Sequence, residues 1–182
     1  PHRLGKWSSE SRSEVAHMQS GDFFGSERSV TVGQATKVRY EHHAADGAVT
    51  VLKKGVNVTA GEILDSSVMN VAALRAFYAA EIADAKEKGL LLSLHLTATM
   101  MKVSDPVLFG HAVTVFFADV FEKHAATFAE LGVNPNNGLG DLISRLGQLA
   151  PEKRAEIEAD LHAVYAARPA LAMADSDKGI TN

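Results

Sequence analysis

The sequence predicts an α/β fold of buried strands flanked by helices, with a small antiparallel, clasp-like hairpin appendage. Three features predict it. Leu90–Pro106 opens with an almost unbroken apolar run, Leu90, Leu91, Leu92, Leu94 and Leu96, which reads as a strand buried on both faces. On either side of this run, apolar residues recur at helical spacing, from Val71 to Ala85 and from Val107 to Phe128. Between Val30 and Leu64 the period is two instead, with turn residues between the runs.

At 182 residues the chain is long enough for one domain with a proper core, or one domain plus an appendage. Its net charge of −4 is spread over interspersed signs and no basic run occurs, which argues against nucleic acid or an anionic membrane as partner. Without cysteine there are no disulfides, thiolate nucleophiles or Cys-type zinc sites, a composition that fits the cytoplasm. No stretch approaches the roughly 18 continuous apolar residues of a membrane span. The opening Pro1-His2-Arg3 has no initiator Met and no signal-like core, so the expectation is a piece of a longer protein with an incomplete active site.

Three regions are expected. Residues 1–29 form an irregular segment with at most a short helix near Ser11 to Met18, anchored to the body by Trp7, Phe23 and Phe24. Packing is favoured over ligand stacking for Trp7. Residues 30–65 form an antiparallel hairpin subregion. Val30 and Val32, Val38 and Tyr40, Val49 and Val51, then Val56 and Val58 mark its strands, with turns at Asp46-Gly47 and Ala60-Gly61-Glu62. Residues 66–182 form an α/β subdomain. There Ser66 or Ser67 caps a helix that stops at Gly89, and Pro106 opens a Phe-rich helix packed on more than one side. Asp141–Leu149 and a helix from Pro151 to Arg168-Pro169 follow, the latter with a buried stripe of Ile157, Leu161, Val164 and Tyr165. Ala170–Ala174 is a second short strand running into a polar tail.

Chemistry is expected where the Leu90 strand stops being apolar. His95, Thr97, Thr99, Lys102, Ser104 and Asp105 follow in quick succession, and open α/β sheets bind ligands beyond the carboxyl ends of their strands. His95 reads equally as a hydrogen-bonded core histidine or a catalytic one. Lys102, between an apolar strand and a Phe-rich helix, seeks an anion; Asp105 gives a structural ion pair and an acidic substrate gives a site. The Ala170 strand repeats the pattern, so the two strand ends could line one cleft. The histidines show no zinc spacing, and His42-His43 reads as an exposed pair. Gly132–Gly140 is a loop whose GLGDLI lacks the spacing of a dinucleotide fingerprint.

The blocks PHRLGKWSSES, EVAHMQSGDFFGSE, ILDSSVMN, TATMMKVSDPVLFGHAV, EIEADLHAVYAARPALAM and DSDKGITN resemble, in order and with similar spacing, the central substrate-side region of the monomeric-type NADP-dependent isocitrate dehydrogenases. The resemblance implies an isocitrate/isopropylmalate dehydrogenase-like large-domain fragment. It also implies NADP-dependent oxidative decarboxylation of isocitrate to 2-oxoglutarate, with Mg or Mn polarising the substrate oxygens. It puts the metal ligands and the main NADP pocket outside this segment. No cofactor-binding or metal-binding residue is therefore expected here, and the partners are isocitrate and the remaining domains of the parent chain. Thr97, Thr99 and Lys102 match substrate-side positions, but Thr97 stands where the family has a lysine that acts in proton transfer. Loss of such a group costs about 10² to 10⁴ in rate. Two rival expectations are a catalytically silent acid-binding relative and a structural clasp whose hairpins pair with another copy.

Overall fold

The computed structural model describes residues 8–95 and 103–172. Their Cα positions group into two units, Gln19–Asn70 and the rest of the chain.

Gln19–Asn70 is built from short strands. A single helical turn, α1 (Phe23–Ser26), is capped by the Asp22 carboxylate, which accepts from the Gly25 amide at 3.1 Å. β1 (Arg28–Thr31) pairs antiparallel with β4 (Ile63–Ser66), and β2 (Thr36–His43) with β3 (Val49–Val58). The turn between β2 and β3 lies at the expected Asp46-Gly47, where Asp46 accepts from the Ala48 amide at 2.9 Å and Gly47 takes φ +87°. Val58 is the buried apolar residue of this unit, while Val49, Val51, Leu52 and Tyr40 stay exposed. Residues 11–18 carry no helix, within the expectation of at most a short one, but one expectation fails nearby: Phe24 is 88% exposed, so it anchors nothing among the described residues. Trp7 lies outside them.

The other unit is helical. α2 (Val71–Lys88) starts later than the Ser66 or Ser67 cap predicts, because Ser66 is still paired to Arg28 in β4. It stops at Gly89, which adopts φ +64°, a conformation open to a residue without Cβ. The expected long Phe-rich helix is three consecutive ones, α3 (Ser104–Phe116), α4 (Ala118–Lys123) and α5 (Ala125–Glu130). Phe117 (φ −107°, ψ 31°) and His124 (φ −109°, ψ 20°) interrupt it, although their amides still bond to Val113 and Val120, each at 3.0 Å. α6 (Leu139–Leu146) and α7 (Pro151–Ala167) follow, and Lys86 caps the end of α7 by donating to the carbonyls of Ala166 and Arg168.

These helices enclose one core. Ile82, Val113, Phe116, Phe117, Val120, Phe128, Leu142, Leu146, Ile157, Leu161 and Val164 form a single buried cluster. Tyr165 is 39% exposed, so the predicted buried stripe ends at Val164, yet its ring meets Phe117 edge-on at 5.3 Å. Gly110 lets α3 approach the 3₁₀ turn Pro135–Asn137; a Cβ there would lie 2.1 Å from Asn136 Oδ1. No described helix is long and apolar enough to cross a membrane.

Candidate functional site at paired strand ends

The Leu90 run is not a strand buried on both faces. Leu91 is 64% exposed, Leu94 is exposed, and the described run makes a single parallel bridge, Leu92 with Leu171. Leucine content specifies a wish for apolar neighbours; among the described residues too few strands are present to supply them. The bridge itself is well formed. The Leu92 amide donates to Ala170 O at 2.8 Å, and the Ala172 amide to Leu92 O at 2.8 Å. The described parts of the two predicted strands thus run side by side in the same direction at Leu92 and Leu171, while the carboxyl ends of both runs lie outside the described residues.

Thr97, Thr99 and Lys102 lie outside the described residues. What flanks them is open to solvent. His95 is exposed, which rules out a core histidine, and its Nε2 lies 2.6 Å from the Ser93 hydroxyl. Val103 is 81% exposed and occupies the cap position of α3, where no side chain accepts a hydrogen bond from the helix. Asp105 sits in the first turn of α3, complementing the positive end of the helix. Among the described residues, the first amides of α3 therefore find no side-chain cap at the N-cap position, which follows the candidate segment in the sequence.

Elsewhere the structure assembles a polar cluster that sequence spacing does not reveal. His124, with 1% of its side chain exposed, faces Asp160 at 2.6 Å, and Glu156 completes a histidine and two carboxylates within 4.8 Å of one another. Its members come from the α4–α5 junction and from one face of α7, 36 residues apart for His124 and Asp160. An i, i+4 carboxylate pair on α7 was the one available signal. Three donors suggest a metal, yet the geometry opposes one. Lys123 lies 2.7 Å from Asp160, and Lys153 2.8 Å from Glu156, so both carboxylates are already neutralised. Two donors on one zinc ion sit about 3.3 Å apart, wider than the His124–Asp160 contact. The ammonium of Lys123, then His124, holds the Asp160 carboxyl below its usual range. This is an ion-pair latch between helices. Lys153 Nζ lies 3.4 Å from His124 Nδ1, on the other side of the ring from Asp160.

The Gly132–Gly140 loop also spends its polar groups internally. Asp141 accepts from the Asn134 amide at 3.1 Å and from Arg145 Nε at 2.8 Å, and Arg145 also donates to Leu131 O. The Asn134 amide and then Arg145 hold the Asp141 carboxyl below its usual range. In the strand unit, a shallow depression lined by Val30–Gln34 and Thr36 contains no charged or nucleophilic side chain beyond threonine hydroxyls.

Comparison with known proteins agrees with the order and spacing of the sequence blocks. The chain is 59% identical over all 182 residues to isocitrate dehydrogenase (NADP) 2 of Colwellia maris and 56% to isocitrate dehydrogenase (NADP) of Azotobacter vinelandii. It is 49% identical to isocitrate dehydrogenase (NADP) 2 of Mycobacterium tuberculosis. In each case it spans the whole of this chain but only 24%, 25% and 24% of the relative, about a quarter of the length of the proteins it matches. The family model described as monomeric isocitrate dehydrogenase matches residues 1–182, and the chain belongs to that family.

Proposed function

We propose that this chain is a segment of an NADP-dependent isocitrate dehydrogenase working in the cytoplasm, and that it forms one wall of the isocitrate cleft. The observation that supports the reading is the parallel Leu92–Leu171 bridge, which sets the two apolar runs side by side in one direction, together with the start of α3, which follows the polar segment in the sequence. In this reading Thr97, Thr99 and Lys102 face the substrate. Lys102 supplies positive charge to a tricarboxylate, and the hydroxyls of Thr97 and Thr99 donate hydrogen bonds.

NADP and the Mg or Mn ion belong to the remaining domains of the parent chain. The His124, Glu156 and Asp160 cluster does not fit a metal, so no step of the reaction is assigned to it. Thr97 sets the main consequence. A threonine hydroxyl does not titrate near neutrality, so the step that a lysine would serve at the substrate hydroxyl has no base at this position. The decisive experiment measures NADPH formation from isocitrate by a full-length enzyme carrying this segment, with Thr97 and with Thr97→Lys. Turnover raised by about 10² to 10⁴ supports a substrate-side role for position 97 and a low-activity or silent natural form. Unchanged turnover overturns the role. The 182-residue chain by itself should give no NADPH.

A second reading is favoured by the exposed apolar residues of β2 and β3, Tyr40, Val49, Val51 and Leu52, and by the open edges of a two-stranded ribbon. In it, the ribbon is a clasp that pairs with another copy. A sedimentation coefficient independent of concentration removes that reading.

A further inference from the structure

Arg75 is half-buried in α2 against α3, and its known partners are neutral. Nη1 donates to the Thr114 hydroxyl at 2.7 Å and approaches His111 Nδ1 at 3.4 Å. The threonine hydroxyl in turn donates to His111 O at 3.1 Å, so it is committed in both roles. Tyr78, one turn further along α2, donates to Leu108 O and does not compete for the guanidinium.

Among the described residues, no carboxylate forms an ion pair with Arg75. Residues 66–80 and 106–118 contain neither Asp nor Glu, so both helices are free of acidic residues where they meet around Arg75. A partly desolvated guanidinium whose partners among the described residues include no anion is an unusual arrangement, because burial weakens its hydration and no opposite charge offsets that loss. The contacts also leave one edge of the group intact. A guanidinium has five donors, and Nη1 accounts for the bonds described, which leaves the Nε and Nη2 edge. That edge is the parallel fork that grips two oxygens of a carboxylate or phosphate.

We infer that the Nε–Nη2 edge of Arg75, held in place by Thr114 and His111, is a binding seat for an oxyanion, a carboxylate or phosphate group. It is built from residues other than those of the strand-end site and is independent of the function proposed for that site. The anion comes either from solution or from an acidic side chain elsewhere in the longer enzyme, and the two sources are distinguishable.

The test follows the Arg75 Nε–H resonance by NMR in the 182-residue chain and in a full-length enzyme that carries it, each titrated with inorganic phosphate. In the chain, the resonance should shift saturably, and Arg75→Gln should weaken phosphate binding about tenfold or more. Arg75→Lys keeps the charge without the fork and should also weaken it, with backbone amide resonances elsewhere unchanged as the control for folding. If the full-length enzyme responds to phosphate as the chain does, the ligand is a free anion. If its resonance is already displaced and insensitive to phosphate, the seat is filled by a side chain. A resonance insensitive to phosphate in the chain and undisplaced in the full-length enzyme overturns the inference, as does equal phosphate binding by wild type and Arg75→Gln.

Discussion

Ile157, in the helical unit, has no measurable exposure, whereas Leu52, in the middle of β3, keeps 69% of its surface in water. Both are large aliphatic residues in regular elements. The helical unit closes around one cluster to which α2 to α7 all contribute and buries that cluster with its own chain, although Leu91 and Val103 stay exposed. The strand unit divides its four strands into two separate pairs, and a two-stranded ribbon has no inner face. Its β-propensity and turn chemistry specify a shape without supplying burial. For a chain that spans about a quarter of its relatives' length, local stability and dependence on surroundings are thus segregated along the sequence.

The largest effect should come from emptying the helical core. Ile157→Ala should cost roughly 2–5 kcal/mol, read as a lower urea midpoint for the loss of helical circular dichroism. A cost below about 1 kcal/mol would show the core to be looser than its burial indicates. Gly110→Ala should come next, at about 1–3 kcal/mol, because the new methyl would meet both the side chain and the backbone of Asn136, and backbone yields poorly.

The ion-pair latch gives a smaller, pH-dependent effect. The Asp160 carboxyl titrates below its unfolded value of about 3.9, so its contribution is full above that pH and is lost as pH falls through the folded value. Asp160→Asn should therefore lower stability near neutrality by about 1 kcal/mol, with the difference from wild type vanishing in strong acid. An offset that persisted unchanged into strong acid would mean that the substitution acts through packing. The smallest effect should be Leu52→Lys, within about 0.5 kcal/mol in thermal melts of the 182-residue chain. A clearly larger loss would show that the ribbon is covered after all, and the comparison would fail.

Local signals were legible wherever they acted within a few residues. Gly89 ends α2, Pro151 opens α7, and Asp46-Gly47 turns the ribbon, each because backbone preference decides the outcome on the spot. Signals that depend on distant neighbours were not. The interruptions at Phe117 and His124 break an otherwise continuous apolar stripe, and no glycine or internal proline announces them. The leucine run was read as fully covered because composition reports affinity for cover, never its presence. His124 was invisible as a buried residue because its partner lies 36 positions away. The repeated pattern of apolar run and polar end led to the expectation that the two strand ends lie side by side; the Leu92–Leu171 bridge joins the described parts of the two runs, and the ends themselves lie outside the described residues.

That bridge joins residues 79 positions apart, 171 minus 92. Closing so long a loop around two hydrogen bonds is a poor seed for folding, since the entropy is lost before any contact repays it. The intervening helices must condense first and carry Leu171 to its place. The pairing of Leu92 with Leu171 should then come late in assembling this unit, and it inherits whatever accuracy the helical scaffold has already achieved.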